Sequence, residues 1–139
     1  MGLDQNLIKF DKRKDNIPLD VKAEHEAGNS IDIKYWRKAN QIHGWMGKTV
    51  GPIDNCEFYH ISRKQIQELL DTCIEVQTRK DLDYNNENLP ITTGFFFGTD
   101  EYDDWYYSEV EETITALQKI LEETNFDYSE IHYWSWWLI

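Results

Sequence analysis

Within Tyr35-Trp36-Arg37-Lys38-Ala39-Asn40-Gln41-Ile42-His43-Gly44-Trp45 the chain gathers indoles, two cations, carboxamides and an imidazole. Such a set suits a planar, phosphorylated ligand. An aromatic ring stacks on a base, an amide pairs with its edge, and cations hold phosphate. At helical spacing Trp36, Asn40 and His43 share one face, with Arg37 and Lys38 beside it. These five, with Trp45, are the candidate ligand-binding residues. The competing structural reading places Trp36 in the core and has His43 satisfying polar groups at a helix end.

Other chemistries find less support. Gly47-Lys48-Thr49 copies the end of a P-loop. Its upstream glycine, Gly44, stands three positions before Gly47 rather than five, and a helix precedes it where a strand belongs. Cys56 and His60 would share a strand face but lie ~13 Å apart, too far to grip one metal ion. Asp100, Asp103 and Asp104 lack the spacing of a calcium loop and suit the positive end of a helix instead. No signature flanks a Cys–His or Ser–His pair. The sequence assigns no catalytic residue, no metal and no cofactor.

The elements that must position these groups follow from periodicity. A first helix is expected from Ser30 or Asp32 to about His43, with Ala39, Ile42 and Met46 as its apolar stripe and Gly44 and Gly47 as its stop. A second begins at Ser62, where Ser62 and Gln65 form a capping box, and buries Ile66, Leu69, Leu70, Cys73 and Val76. A third starts near Tyr102 or Asp103, with Tyr106, Val110, Ile114, Leu117 and Leu121 inward. Strands are expected at Asn6–Phe10, Glu57–Ile61, Gly94–Gly98 and Ile131–Trp137. Residues 81–92 read as a polar loop. The expected architecture is α+β: residues 1–30 form a polar N-terminal segment with a short strand, and residues 31–139 a single domain of three helices on a small, mainly antiparallel sheet.

Charge divides the chain unevenly. Residues 1–80 hold 13 Lys+Arg against 12 Asp+Glu, while residues 81–139 hold Lys119 against 14 acids. The net charge of −12 therefore belongs to the C-terminal part. Asp100, Glu101, Asp103 and Asp104 form a candidate acidic interaction face. The competing reading is that acids keep an aromatic-rich half soluble. Tyr102, Trp105, Tyr106 and Tyr107, with Trp134, Trp136 and Trp137, exceed what a small core needs, which places some of them at an interface. The chain opens without a basic, apolar leader, and no apolar run approaches ~18 residues. Two cysteines make no disulfide framework. These features place the chain in a reducing cytoplasm.

The segment from Tyr35 to Trp45 resembles the YWRKANxIHxW motif of a family of small phage and prophage proteins. The likeness continues through Asn55-Cys56-Glu57-Phe58-Tyr59 and Ile61-Ser62-Arg63, then Leu89-Pro90, Gly94-Phe95-Phe96-Phe97-Gly98 and Tyr102-Asp103. At the C-terminus the family tends to a polar Gln/Ser stretch before Trp, where this chain has Trp134-Ser135-Trp136-Trp137. The resemblance implies a non-enzymatic phage accessory protein in the host cytoplasm, with a counter-defence role by analogy.

Two functions are then expected as alternatives. One is sequestration of a phosphorylated small molecule such as a nucleotide immune signal, by a homo-oligomer whose subunits share the phosphates. The other is an acidic, protein-directed inhibitor that mimics nucleic acid toward a host nuclease or immune effector. Neither involves a membrane. Generic duplex DNA is excluded as a partner, because a long duplex would overlap the acidic surface.

Overall fold

A computed structural model describes residues 2–12, 19–92 and 101–137. Four strands, β1 (Leu3–Asp11), β2 (Ile31–Arg37), β3 (Phe58–Ile61) and β4 (Ser129–Trp137), form one sheet in the order β2-β1-β4-β3. Every neighbouring pair is antiparallel. The helices among the described residues are α1 (Val21–Glu26), α2 (Asn40–Val50), α3 (Arg63–Arg79), α4 (Leu82–Asn88) and α5 (Asp104–Glu123). The α+β class and antiparallel sheet agree with the expectation from sequence; the described residues hold five helices, not three. The two additional helices are the short α1 and α4. Asp20 and Asp81 start them by accepting from Ala23 N and Asp83 N.

The two long helices begin where side chains satisfy their unpaired N–H groups. Ser62 Oγ accepts from Gln65 N at 3.1 Å, and Gln65 Oε1 accepts from Ser62 N at 2.9 Å. Asp103 Oδ1 accepts from Tyr106 N at 3.1 Å and opens α5. Their apolar stripes meet over the sheet: Ile66, Leu69, Leu70, Cys73 and Val76 from α3, with Tyr106, Val110, Ile114, Leu117 and Ile120 from α5. Ile120 takes the core position expected of Leu121, which is only partly buried. Leu7, Trp36, Ile61, Ile131 and Tyr133 are the sheet's contribution to that core. Full burial of such a side chain stabilises the fold by roughly 1.5–3 kcal/mol.

The expected first helix is corrected. Residues 31–37 are a strand, and the helix starts at Asn40. The joint is Lys38, whose φ of 60° lies in the left-handed region that a helix cannot continue through. Lys38 N donates to Leu3 O at 2.6 Å, tying the joint to β1. Beyond it Ala39, Ile42 and Met46 are buried as their spacing predicts. Gly44 and Gly47 lie inside α2 rather than ending it; the end is Gly51, at φ 97°. The N-terminal strand is longer than expected and lies between β2 and β4. The strand expected at 94–98, the N-terminal breaker Pro18, Arg13, Lys14 and Asp100 all lie outside the described residues.

Strand alternation sorts the remaining aromatics. On the sheet face away from α3 and α5, ring centroids run Phe58–Trp134 5.1 Å and Trp134–Trp136 4.2 Å, both stacked, and Trp136–Tyr35 6.3 Å, tilted. His25 of α1 adds its ring 5.1 Å from Trp134. This ladder crosses from β3 through β4 to β2, so Trp134 and Trp136 tie the outer face of the sheet together.

Candidate functional site

β2 is an edge strand, and α5 lies along it as a second wall. At one end Trp105, Ser108, Glu109 and Glu112 of α5 face the run from Lys34 to Arg37 across a cleft of about 280 Å³. At the other, Lys119, Ile120, Glu123 and Thr124 face Ile31, Asp32 and Ile33 across a cleft of about 250 Å³. Helix and strand therefore run in opposite directions along one groove.

Trp36 forms its floor. Alternation turns its side chain inward, where it is 4% exposed and its Nε1 donates to Thr113 Oγ1 at 2.8 Å. The Thr113 hydroxyl in turn donates to Glu109 O at 2.7 Å. The indole thus fixes the separation of strand and helix. It offers no open face for stacking in this arrangement.

The charged groups of the groove act on one another. Burial pushes the Glu109 carboxyl up to about 7, against a hydrogen bond from Gln41 Nε2 at 2.9 Å; Glu112 and Asp103 raise it further and Lys34 opposes them. Burial lowers the Lys34 ammonium, with Glu112 and Glu109 acting the other way. Its Nζ sits 5.6 Å from the Trp36 ring centroid. Trp105 stands over this end 73% exposed.

The six candidate ligand residues do not converge. Trp36 and Arg37 border the groove, the first as floor and the second as an exposed side chain at its end. Lys38 is exposed at the joint. Asn40, His43 and Trp45 belong to α2, so the shared helical face with Trp36 does not exist. Asn40 Oδ1 accepts from Thr92 N at 3.1 Å. His43 is half-buried, its ring edge-on to Trp137 at 5.6 Å, and burial lowers its pKa. Trp45 packs partly buried against the core. Thr49, last of the P-loop-like triplet, donates its hydroxyl to Trp45 O at 3.0 Å within the helix.

No family model matches the chain, and no curated protein or solved structure matches it either.

On the acidic face, Asp103 is the cap of α5, while Glu101 and Asp104 are exposed. Sequence reasoning passed over Lys34, Gln41, Glu109 and Glu112. The available signal was local: Glu109 and Glu112 each directly precede a buried residue, Val110 and Thr113, which puts them at the rim of the helix's inward face. Among the described residues, no three His, Cys, Asp or Glu side chains come together as a metal site requires. Cys56 is exposed and Cys73 is buried. No helix among the described residues is long and apolar enough to cross a membrane.

Proposed function

We propose that this chain is a non-enzymatic binding protein directed at a basic protein partner, with α5 as its recognition element. The observation that carries the reading is Trp105: a tryptophan 73% exposed at the start of a helix that bears exposed Asp104 and Glu111, with Glu112 at the rim of the cleft below. A large indole among carboxylates supplies an anchor for a partner's apolar or cationic side chain, and the acids supply steering. The resemblance to phage proteins gives the setting, a counter-defence factor acting on a host nuclease or immune effector. The small-ligand alternative has less to stand on, since Trp36 and Asn40 are engaged inside the fold and Glu109 and Glu112 would repel a phosphate near Arg37 and Lys34.

Charge-steered association weakens as the Debye length shrinks from ~30 Å at 0.01 M salt to ~8 Å at physiological salt. Capture from bacterial lysate at low salt is expected to enrich a basic protein, and the combined W105A/D104K/E111K variant to lose it. Retention by that variant sinks the reading. So does calorimetric binding of a nucleotide by the wild type with no effect of the triple change.

A further inference from the structure

The edge of β2 that faces away from β1 adjoins the groove. β2 pairs with β1 alone, and among the described residues no backbone hydrogen bond reaches its outer edge. Seven residues make up this strand, a span of roughly 23 Å at ~3.3 Å per residue. An unpaired edge is a template for another strand, and folds usually blunt it. Here a bulge does so in part: Leu7 pairs with Lys34 and Ile8 with Asp32, which leaves Ile33 as the extra residue. From Lys34 to Arg37 the register with β1 is regular. That regular stretch is the part that faces Trp105, Glu109 and Glu112.

Two large apolar side chains with unusual exposure border the clefts between β2 and α5: Ile31 at 60% and Trp105 at 73%. They sit on both walls and at both ends. The charge balance is equally uneven. Glu112 and Asp103 both push the Glu109 carboxyl up, with Lys34 as the opposing charge. An added cation would relieve that repulsion.

We propose that the groove between β2 and α5 takes up an extended, basic segment of the partner protein, which joins the sheet as a fifth strand beside Lys34–Arg37 and sets a Lys or Arg side chain against Glu109 and Glu112. Main-chain pairing provides the affinity, and alternate side chains reaching α5 provide the selection. An apolar residue of the same segment packs on Trp105. This deepens the protein-directed reading above and rests on it.

The test uses the full chain and a labelled eight-residue peptide alternating valine with lysine. Its control is the same peptide N-methylated at every backbone amide, which keeps the charge but leaves no amide N–H on either side to pair with an edge. Fluorescence anisotropy is expected to show saturable binding of the first peptide and at least tenfold weaker binding of the second. E112Q, an exposed change that leaves the fold intact, is expected to weaken the first peptide about fivefold. Amide exchange should slow at residues 34–37 when the peptide is present. Equal binding of both peptides overturns strand addition while leaving an acidic, protein-directed face standing. Absence of binding by either peptide overturns the groove proposal, and only the further loss of salt-sensitive capture removes the broader reading. A dimer in sedimentation, with the amides of 34–37 already protected without peptide, makes a second copy the occupant and also overturns it.

Discussion

The carboxamide of Gln41 donates to Glu109 Oε2 at 2.9 Å. That contact joins the first turn of α2 to the second turn of α5, across a carboxyl that burial holds near 7.

The pH dependence of stability follows from this pair. Glu109 ordinarily titrates near 4.5. Between about 4.5 and 7 the folded chain holds the proton that the unfolded chain releases, so this contribution to stability falls as pH rises through the window. His43 and His132, both lowered by burial, act in the opposite sense at its acidic side. The difference between E109Q and wild type isolates the carboxyl. Urea midpoints are expected to be similar at pH 5, with E109Q the more stable at pH 8. An unchanged difference between the two pH values would place the Glu109 carboxyl in water.

The link between Trp36 and Thr113 should behave as a buried hydrogen bond. T113V leaves the indole N–H without its acceptor and is expected to cost about 1–3 kcal/mol in urea unfolding. W36F removes the donor and part of the ring volume, with a loss of similar or larger size. In the double variant the losses should fall short of additivity by on the order of 1 kcal/mol. Strict additivity would mean the two groups do not interact.

Two glycines in one helix are expected to respond in opposite directions to alanine. A Cβ at Gly47 meets nothing within 4 Å, so G47A should stabilise by roughly 0.5–1 kcal/mol, the ordinary gain of Gly to Ala in a helix. A Cβ at Gly44 would lie 2.0 Å from Thr92 Oγ1. G44A is therefore expected to destabilise by about 1–3 kcal/mol despite its better helix propensity. T92A should restore most of that loss, which thermal melts of the three variants would reveal.

The cysteines should separate cleanly by reactivity. Cys56 is exposed, whereas burial pushes the Cys73 thiol up to about 12 and excludes reagent from it. An aromatic disulfide reagent at pH 8 is expected to titrate one thiol in the native protein and two in denaturant. Two fast thiols in the native state would contradict the packing of α3.

Sequence legibility tracked the range of the forces involved. The start of α3 was readable because Ser62 and Gln65 satisfy each other three residues apart. The start of α5 was readable from Asp103 and the stripe behind it. β2 was not. Ala39, Ile42 and Met46 do repeat at helical spacing, and no Gly or Pro interrupts the residues before them. What breaks the helix is Lys38, held at positive φ by a bond to Leu3, while Trp36 is held to a threonine 77 residues away. The groove was hidden for the same reason. Lys34 and Glu109 are unremarkable singly, and only the docking of an edge strand against a helix brings them together. Motif spacing drew attention to Trp36 and Arg37, which do border it, and to Asn40 and His43, which serve α2.

The two central strands of the sheet, β1 and β4, pair along nine residues from Leu3 opposite Trp137 to Asp11 opposite Ser129. More than a hundred residues separate them in the chain. During synthesis β1 and β2 therefore leave the ribosome long before the strand that completes their sheet, and the helices can form while the inner seam is still open. Closure of so long a loop is slow compared with helix formation. The seam between β1 and β4 is therefore the contact of the sheet whose formation costs the most chain entropy.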